Sequence, residues 1–169
     1  MTYDRLFNIM DSRLRQGRTL KSCKYLLTNH PLRNAFFRMD YAKCFLDSPK
    51  YTQNQHGYKR IPIYKSSMLE MHLLEWGVGS KSPIHAHPEL GCLMKIISGQ
   101  LIEKQFHSID QSHLNNHSLS EVDENILTNG GVHYIPGGDV FHKIMNGNGN
   151  ESSVSIHFYA PPYPMDETR

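Results

Sequence analysis

The sequence predicts one mainly β domain, a small barrel or jelly roll of short strands, with a helical layer at its N-terminal end. Three observations predict it. Short apolar runs recur after residue 58: Leu69–Leu74, Leu93–Ile97, Leu101–Phe106, Val132–Ile135, Val140–Met145 and Val154–Tyr159. Turn-forming residues separate them, at Gly77–Gly79, Ser98-Gly99, Gly130-Gly131, Pro136-Gly137-Gly138 and Asn146–Asn150. Before residue 47 the apolar spacing is helical instead. The length, 169 residues, suits a single domain, divided into helices over 1–47 and a β-barrel over 58–162.

Tyr3, Leu6, Phe7, Met10 and Leu14 recur at helical spacing, and so do Leu32, Ala35, Phe36 and Met39. Pro31 suits the first turn of that later helix. Segment 48–58 is polar and reads as a connector. Leu69, Met71 and Leu73 alternate with Glu70, His72 and Leu74, the period of a strand. Segment 107–128 is polar and aperiodic and reads as a long surface loop.

Composition excludes several function classes. Eighteen Lys and Arg against 16 Asp and Glu leave a net charge of +2, too little to argue for nucleic acid or a membrane surface. Three cysteines, Cys23, Cys44 and Cys92, do not make a disulfide framework. No apolar run approaches the ~18–20 residues of a spanning helix. The first residues lack the basic-then-apolar layout of a secretory signal, so a reduced, cytoplasmic protein is expected, and a monomer.

The unusual number is 11 histidines, which directs attention to a metal. In Gly79-Ser-Lys-Ser-Pro-Ile-His85-Ala-His87, two imidazoles stand two residues apart. On a strand they would face the same side and converge on one ion. Further on, Pro136-Gly137-Gly138 makes a tight turn and the next strand carries His142, with Asn146 four residues later. These two blocks, Gly79–Gly99 and Gly130–Asn146, resemble the paired motifs of the cupin superfamily, apart from one extra residue between Gly138 and His142. The resemblance implies a metal held by His85, His87 and His142. Many cupins add a glutamate ligand shortly after the second histidine; those slots here hold Gly91 and Cys92. A cupin isomerase using zinc or manganese is disfavoured by that missing carboxylate.

Three further segments resemble a narrower family, the cysteine dioxygenases, which are cupin thiol dioxygenases. They are Tyr58-Lys59-Arg60 ahead of Trp76-Gly77, Cys92-Leu-Met-Lys95-Ile-Ile-Ser-Gly99 after the histidine pair, and Ser155-Ile-His157-Phe-Tyr159-Ala-Pro161-Pro162. The resemblance implies Fe(II) as cofactor and L-cysteine as substrate, oxidised by O2 to cysteine sulfinate. Tyr58 and Arg60 would bind the substrate carboxylate, for which a guanidinium offers a planar fork. Ser155, His157 and Tyr159 alternate, so a strand places them on one side. They would form a catalytic relay ending at the tyrosine hydroxyl, with His157 and Tyr159 also contacting substrate. Cys92 matches the position that forms a thioether with the active-site tyrosine, here Tyr159. A second register, Tyr51-Thr-Gln53, would place glutamine where Arg60 stands and imply 3-mercaptopropionate as substrate. The alternatives to cysteine are thus 3-mercaptopropionate, cysteamine or a protein N-terminal cysteine. A metal-binding cupin that senses a ligand without catalysis is the alternative of another class.

Overall fold

The computed structural model describes residues 3–28, 52–53, 56–108 and 119–162. The expected helix around Leu32–Met39, Cys44, Tyr51 and segment 109–118 lie outside the described residues. The chain runs α1 (Tyr3–Arg15), α2 (Leu20–Thr28), β1 (Thr52–Gln53), β2 (Tyr58–Lys65), β3 (Glu70–Trp76), β4 (Cys92–Ser98), β5 (Gln100–Ser108), β6 (Leu119–Thr128), β7 (Val132–Ile135), β8 (Phe141–Asn146) and β9 (Ser153–Tyr159). No helix among the described residues is long and apolar enough to cross a membrane.

In α1, Leu6, Phe7, Met10 and Leu14 form one buried stripe, as their spacing requires. Gly17, at φ +76°, ends the helix. Its amide bonds the Leu14 carbonyl and the Arg18 amide bonds that of Arg13, so two of the last carbonyls are satisfied by a left-handed residue that glycine adopts without strain. Thr19 and Ser22 then exchange side-chain and backbone hydrogen bonds that start α2.

The strands form two antiparallel sheets, one of order β1-β2-β3-β9-β4-β7 and one of order β6-β5-β8. The mainly β expectation holds, but the sheets do not close into a continuous barrel among the described residues. The large sheet is covered on both faces. Met71, Leu73, Leu93, Ile156 and Phe158 pack with Leu6, Phe7, Met10, Leu20 and Cys23 of the helices. The alternate residues Leu74, Trp76, Cys92, Met94, Ile96 and Tyr159 face inward, where Leu101 of β5 and Ile144 of β8 meet them. β3 therefore reads as nearly continuously buried rather than half exposed, because β2 and β9 flank it and both its faces are covered.

Two sequence expectations are corrected. The supposed loop 107–128 contains the end of β5 and all of β6, paired from Ser108↔Leu119 to Gln100↔Thr128. β6 is an edge strand with mostly exposed side chains, so it carries no hydrophobic alternation to detect. Its Glu121 and Glu124 bracket Lys104 of β5 at 2.8 and 3.1 Å, and such charges also discourage edge-to-edge association. The connector 48–58 contains β1, where Thr52 pairs with Arg60 and Gln53 with Lys59.

One polar contact ties the helical layer to the sheet. Asp11 of α1 accepts from the Ser66 hydroxyl in the β2–β3 turn and from Arg15 Nε at 2.7 Å. Burial pushes the Asp11 carboxyl up, but the hydrogen bonds from Ser66 and Arg15 outweigh it and hold its pKa below the usual value. Asp11→Ala should cost about 1–3 kcal/mol, leaving the Ser66 hydroxyl only the longer contact to Leu69 O at 3.4 Å. A carboxylate with a depressed folded pKa contributes above its unfolded value of about 3.9 and loses that contribution as pH falls through the folded value. Thermal unfolding should thus show the full difference from wild type at pH 7 and a shrinking one below about pH 4. An equal difference at both pH values would refute the charge contribution.

Candidate metal centre and active site

The histidine pair lies on the segment between β3 and β4, and that segment is not a full strand. It is fastened to β8 by backbone bonds. Ser82 N bonds Ile144 O at 2.8 Å, and His85 and His142 exchange both their backbone hydrogen bonds, at 3.0 and 2.9 Å. The Ser82 hydroxyl accepts from Ile144 N at 3.0 Å. Asn146 holds the far end: its Nδ2 lies 3.1 Å from Trp76 O and 3.0 Å from Gly77 O. A single bridge next to β8, instead of the expected strand, sets the direction of His85.

The three predicted imidazoles converge. Ring centroids lie 5.2 Å apart for His85–His87, 4.5 Å for His85–His142 and 4.3 Å for His87–His142. One nitrogen from each falls within 4.8 Å of the other two. Tautomers follow from the neighbours. His85 Nδ1 is 3.0 Å from the Pro83 carbonyl, which can only accept, so Nδ1 carries hydrogen. His142 Nδ1 is 3.0 Å from the Glu103 carboxylate and is likewise the donor. That leaves two Nε2 lone pairs facing each other at 3.1 Å. Such an approach is repulsive unless a cation lies between them. It is also the spacing of two nitrogens sharing one ion at roughly 2.0–2.1 Å each. His87 is 7% exposed, and both its ring nitrogens lack a hydrogen-bond partner. Burial, then the neighbouring imidazoles, pushes its pKa far down, and burial also lowers that of His142 against the pull of Glu103. Neutral imidazoles with converging lone pairs fit a metal ion.

The missing fourth carboxylate has a structural cause. Gly91 has φ +91°, and a Cβ there would sit 2.2 Å from the Ile135 carbonyl oxygen. No side chain fits that slot without moving β7. Cys92, the other slot, is fully buried in β4 directly opposite Tyr159.

Sequence reasoning passed over Glu103, in the middle of the apolar run Leu101–Phe106. It is 0% exposed and contacts His133 Nε2 at 2.7 Å as well as His142. The His133 contact lies off the ring N–H direction, so it is a close polar contact rather than an aligned hydrogen bond. Burial, the largest influence, raises the Glu103 pKa, but the two histidines together bring it to about 2. The available signal was strand parity: Glu103 stands two residues after Leu101 and so shares its inward face, where a carboxylate is buried only with partners.

The alternating triad on β9 forms a hydrogen-bonded line. Trp76 Nε1 donates to Ser155 Oγ at 2.8 Å; Ser155 Oγ lies 2.9 Å from His157 Nε2, and His157 Nδ1 lies 3.2 Å from the Tyr159 hydroxyl. Indole is a donor only, which polarises the line. With Ser155 donating to Nε2, His157 donates from Nδ1 to the Tyr159 oxygen, and the phenol proton is left for another acceptor. Burial, then the Arg60 charge, pushes the His157 pKa well down, so the ring is neutral.

Tyr58, Arg60, His85, His142, His157 and Tyr159 line one pocket of about 60 Å³, with Trp76 and Leu74 in its wall. The Arg60 guanidinium stacks 5.4 Å from the centre of the Tyr159 ring, a cation–π contact. Its Nε and Nη2 are buried with no hydrogen-bond partner. Gln53, the residue of the second register, pairs with Lys59 on β1, and its side chain is outside the described ones. Six of the nominated site residues therefore line this cavity, while His87 packs against His85 and His142, and Ser155 and Cys92 adjoin His157 behind it.

Residues 37–168 match the family model for cysteine dioxygenase type I. The chain belongs to this family. It is 29% identical to cysteine dioxygenase type 1 of Bos taurus over 123 residues, which cover 73% of this chain and 56% of that protein. It is 30% identical to the Danio rerio protein of the same name, over 77% of this chain and 60% of that one. This cysteine dioxygenase family member thus spans a little over half the length of those relatives. Among solved structures, the cupin domain of Schizosaccharomyces pombe Cnp3 aligns with a TM-score of 0.51 at 16% identity, covering 69% of this chain and 72% of that chain. That likeness establishes the cupin fold.

Proposed function

We propose that the chain is an Fe(II)-dependent thiol dioxygenase that converts L-cysteine to cysteine sulfinate, RSH + O2 → RSO2H. The observation that carries this reading is the Arg60 side chain, which lines the pocket that also contains His85 and His142 and whose Nε and Nη2 have no hydrogen-bond partner among the described residues. The Arg60 charge already interacts with Glu70, but no described group hydrogen-bonds its Nε or Nη2, so a forked donor stays available for an anionic ligand. An amino-acid carboxylate on Arg60 would direct the thiol end of a small substrate toward the three imidazoles.

His85, His87 and His142 would hold the iron, which when bound would supply thiol deprotonation and one-electron chemistry with O2. The chain's own groups do the rest. Arg60 and Tyr58 bind and orient the carboxylate. Trp76 and Leu74 exclude water from one wall of the pocket. Tyr159, its oxygen held by His157, directs the phenol proton toward oxygens gathering at the sulfur. Anaerobic loading with Fe(II), then exposure to O2 with a panel of thiols and mass spectrometry of the products, tests this. Cysteine sulfinate as the main product supports it. Preferential turnover of cysteamine, 3-mercaptopropionate or an N-terminal cysteine peptide would replace the substrate. Metal binding with no turnover would point to a sensor.

The Cys92–Tyr159 thioether belongs to the same reading. The two residues are directly opposed across β4 and β9, where Cβ atoms lie roughly 4.5–5.5 Å apart. Burial pushes the Cys92 thiol well up, so an ordinary thiolate reaction is disfavoured. Oxidative coupling by O2 during turnover would join Sγ to the ring and remove two hydrogens. Intact mass after many turnovers should show that loss, and Cys92→Ser should abolish it. An unchanged wild-type mass would leave Cys92 as a core residue alone.

A further inference from the structure

We propose that Glu103 is a positioning residue of the metal centre, and that His133 holds it in that role from the opposite sheet. The inference rests on the metal-site reading above and assigns two residues that the reading does not use.

Glu103 stands on β5 of the small sheet, fully buried. Its Oε1 meets His142 Nδ1 at 3.0 Å. Its Oε2 meets His133 Nε2 at 2.7 Å, Gln105 Nε2 at 3.2 Å and, at a longer 3.4 Å, Asn125 Nδ2. Donors thus come from β5, β6 and β8 to one carboxylate, and His133 of β7 presses against it from the other sheet. A buried charge so completely surrounded is built in, and the interior needs no carboxylate for packing.

The consequence falls on His142. An imidazole carries its hydrogen on one nitrogen, and the carboxylate claims Nδ1–H. The Nε2 lone pair is thereby turned to the cluster, 3.1 Å from His85 Nε2. The other tautomer would aim a hydrogen at the ion and remove a ligand. The negative charge also makes the imidazole a stronger donor toward metal. His133 belongs to β7 of the large sheet, and its side chain is 22% exposed. Gripping Oε2 from there, it fixes the plane of the carboxylate and so the tilt of the His142 ring. His85 relies on a backbone carbonyl for the same service, and His87 has no such partner. Glu103 therefore sets the tautomer of His142 through a side chain.

The test is Co(II) affinity, measured by competition titration on metal-free protein, beside thermal unfolding of the same metal-free samples. Glu103→Gln keeps shape and an acceptor oxygen but removes the charge. It should bind Co(II) roughly 10–100-fold more weakly than wild type, with a shifted Co(II) absorption spectrum and a near wild-type unfolding midpoint. Glu103→Asp should recover part of the affinity, and His133→Ala should lose about 10-fold or less. Wild-type affinity and spectrum in Glu103→Gln would overturn the proposal, and so would Gln and Asp variants that no longer fold without metal, since the carboxylate would then be purely structural. Failure of the wild type itself to bind Co(II) would instead overturn the metal-site reading, and this inference with it.

Discussion

Replacing His85, His87 or His142 with alanine, one at a time, should abolish thiol oxidation and remove most bound iron. Among the described residues the site offers three imidazole nitrogens, and Gly91 and Cys92 occupy the sequence positions at which many cupins carry a glutamate ligand. Changes to groups that merely support a ligand already cost roughly 10–100-fold in metal affinity, so loss of a ligand should exceed that. Metal content by plasma mass spectrometry after anaerobic loading is the measurement. His107, exposed on β5 and away from the cluster, is the control and should retain full iron when substituted. Normal iron in all three alanine variants would remove the basis for the metal assignment. His87→Ala is informative in another way: no group among the described residues satisfies either of its nitrogens, so metal-free protein should tolerate its loss without a drop in stability.

The second large effect concerns substrate choice. Arg60→Gln should lower kcat/KM for cysteine by tens- to thousands-fold, the equivalent of roughly 2–5 kcal/mol for truncating one partner of a buried charge pair. Cysteamine has no carboxylate, so its turnover should fall far less. Iron content should stay normal, because Arg60 stands over the Tyr159 ring and outside the histidine cluster. If the glutamine of the second register occupied the pocket instead, Arg60→Gln would leave cysteine turnover unchanged. The wild type would then prefer 3-mercaptopropionate. Both substrates measured on both proteins separate these outcomes, and equal cysteine activity would refute the carboxylate role.

The two residues are tied through Tyr159, which bears the Arg60 cation on its ring and the His157 hydrogen bond on its oxygen. Losing Arg60 frees that ring as well as the carboxylate subsite. A Tyr159→Phe variant keeps the ring and removes the hydroxyl. Comparing the two variants separates binding of the carboxylate from donation of the phenol proton.

Much of this was legible in the sequence, because the signals are local. α1 shows its buried stripe in the spacing of Leu6, Phe7, Met10 and Leu14, and β7 and β9 lie almost where apolar runs and turns put them. A strand period of two places Ser155, His157 and Tyr159 together without reference to any other element. What depends on a partner was not legible. β6 is a strand because β5 supplies its hydrogen bonds, and an exposed edge strand needs no hydrophobic pattern. His85 is aimed by a bridge to β8, 57 residues away in the chain. Gly91 excludes a fourth ligand because the Ile135 carbonyl presses on it, and Arg60 and Glu103 acquire their surroundings from strands distant in sequence. Sequence alone thus determined most of the described element types, the metal-binding histidines as candidates and the family resemblance. The tertiary structure decided which polar groups are buried, which are satisfied and which are left facing the cavity. The physical reason is that desolvation and hydrogen-bond satisfaction belong to pairs of groups brought together by folding, whereas periodicity belongs to one segment.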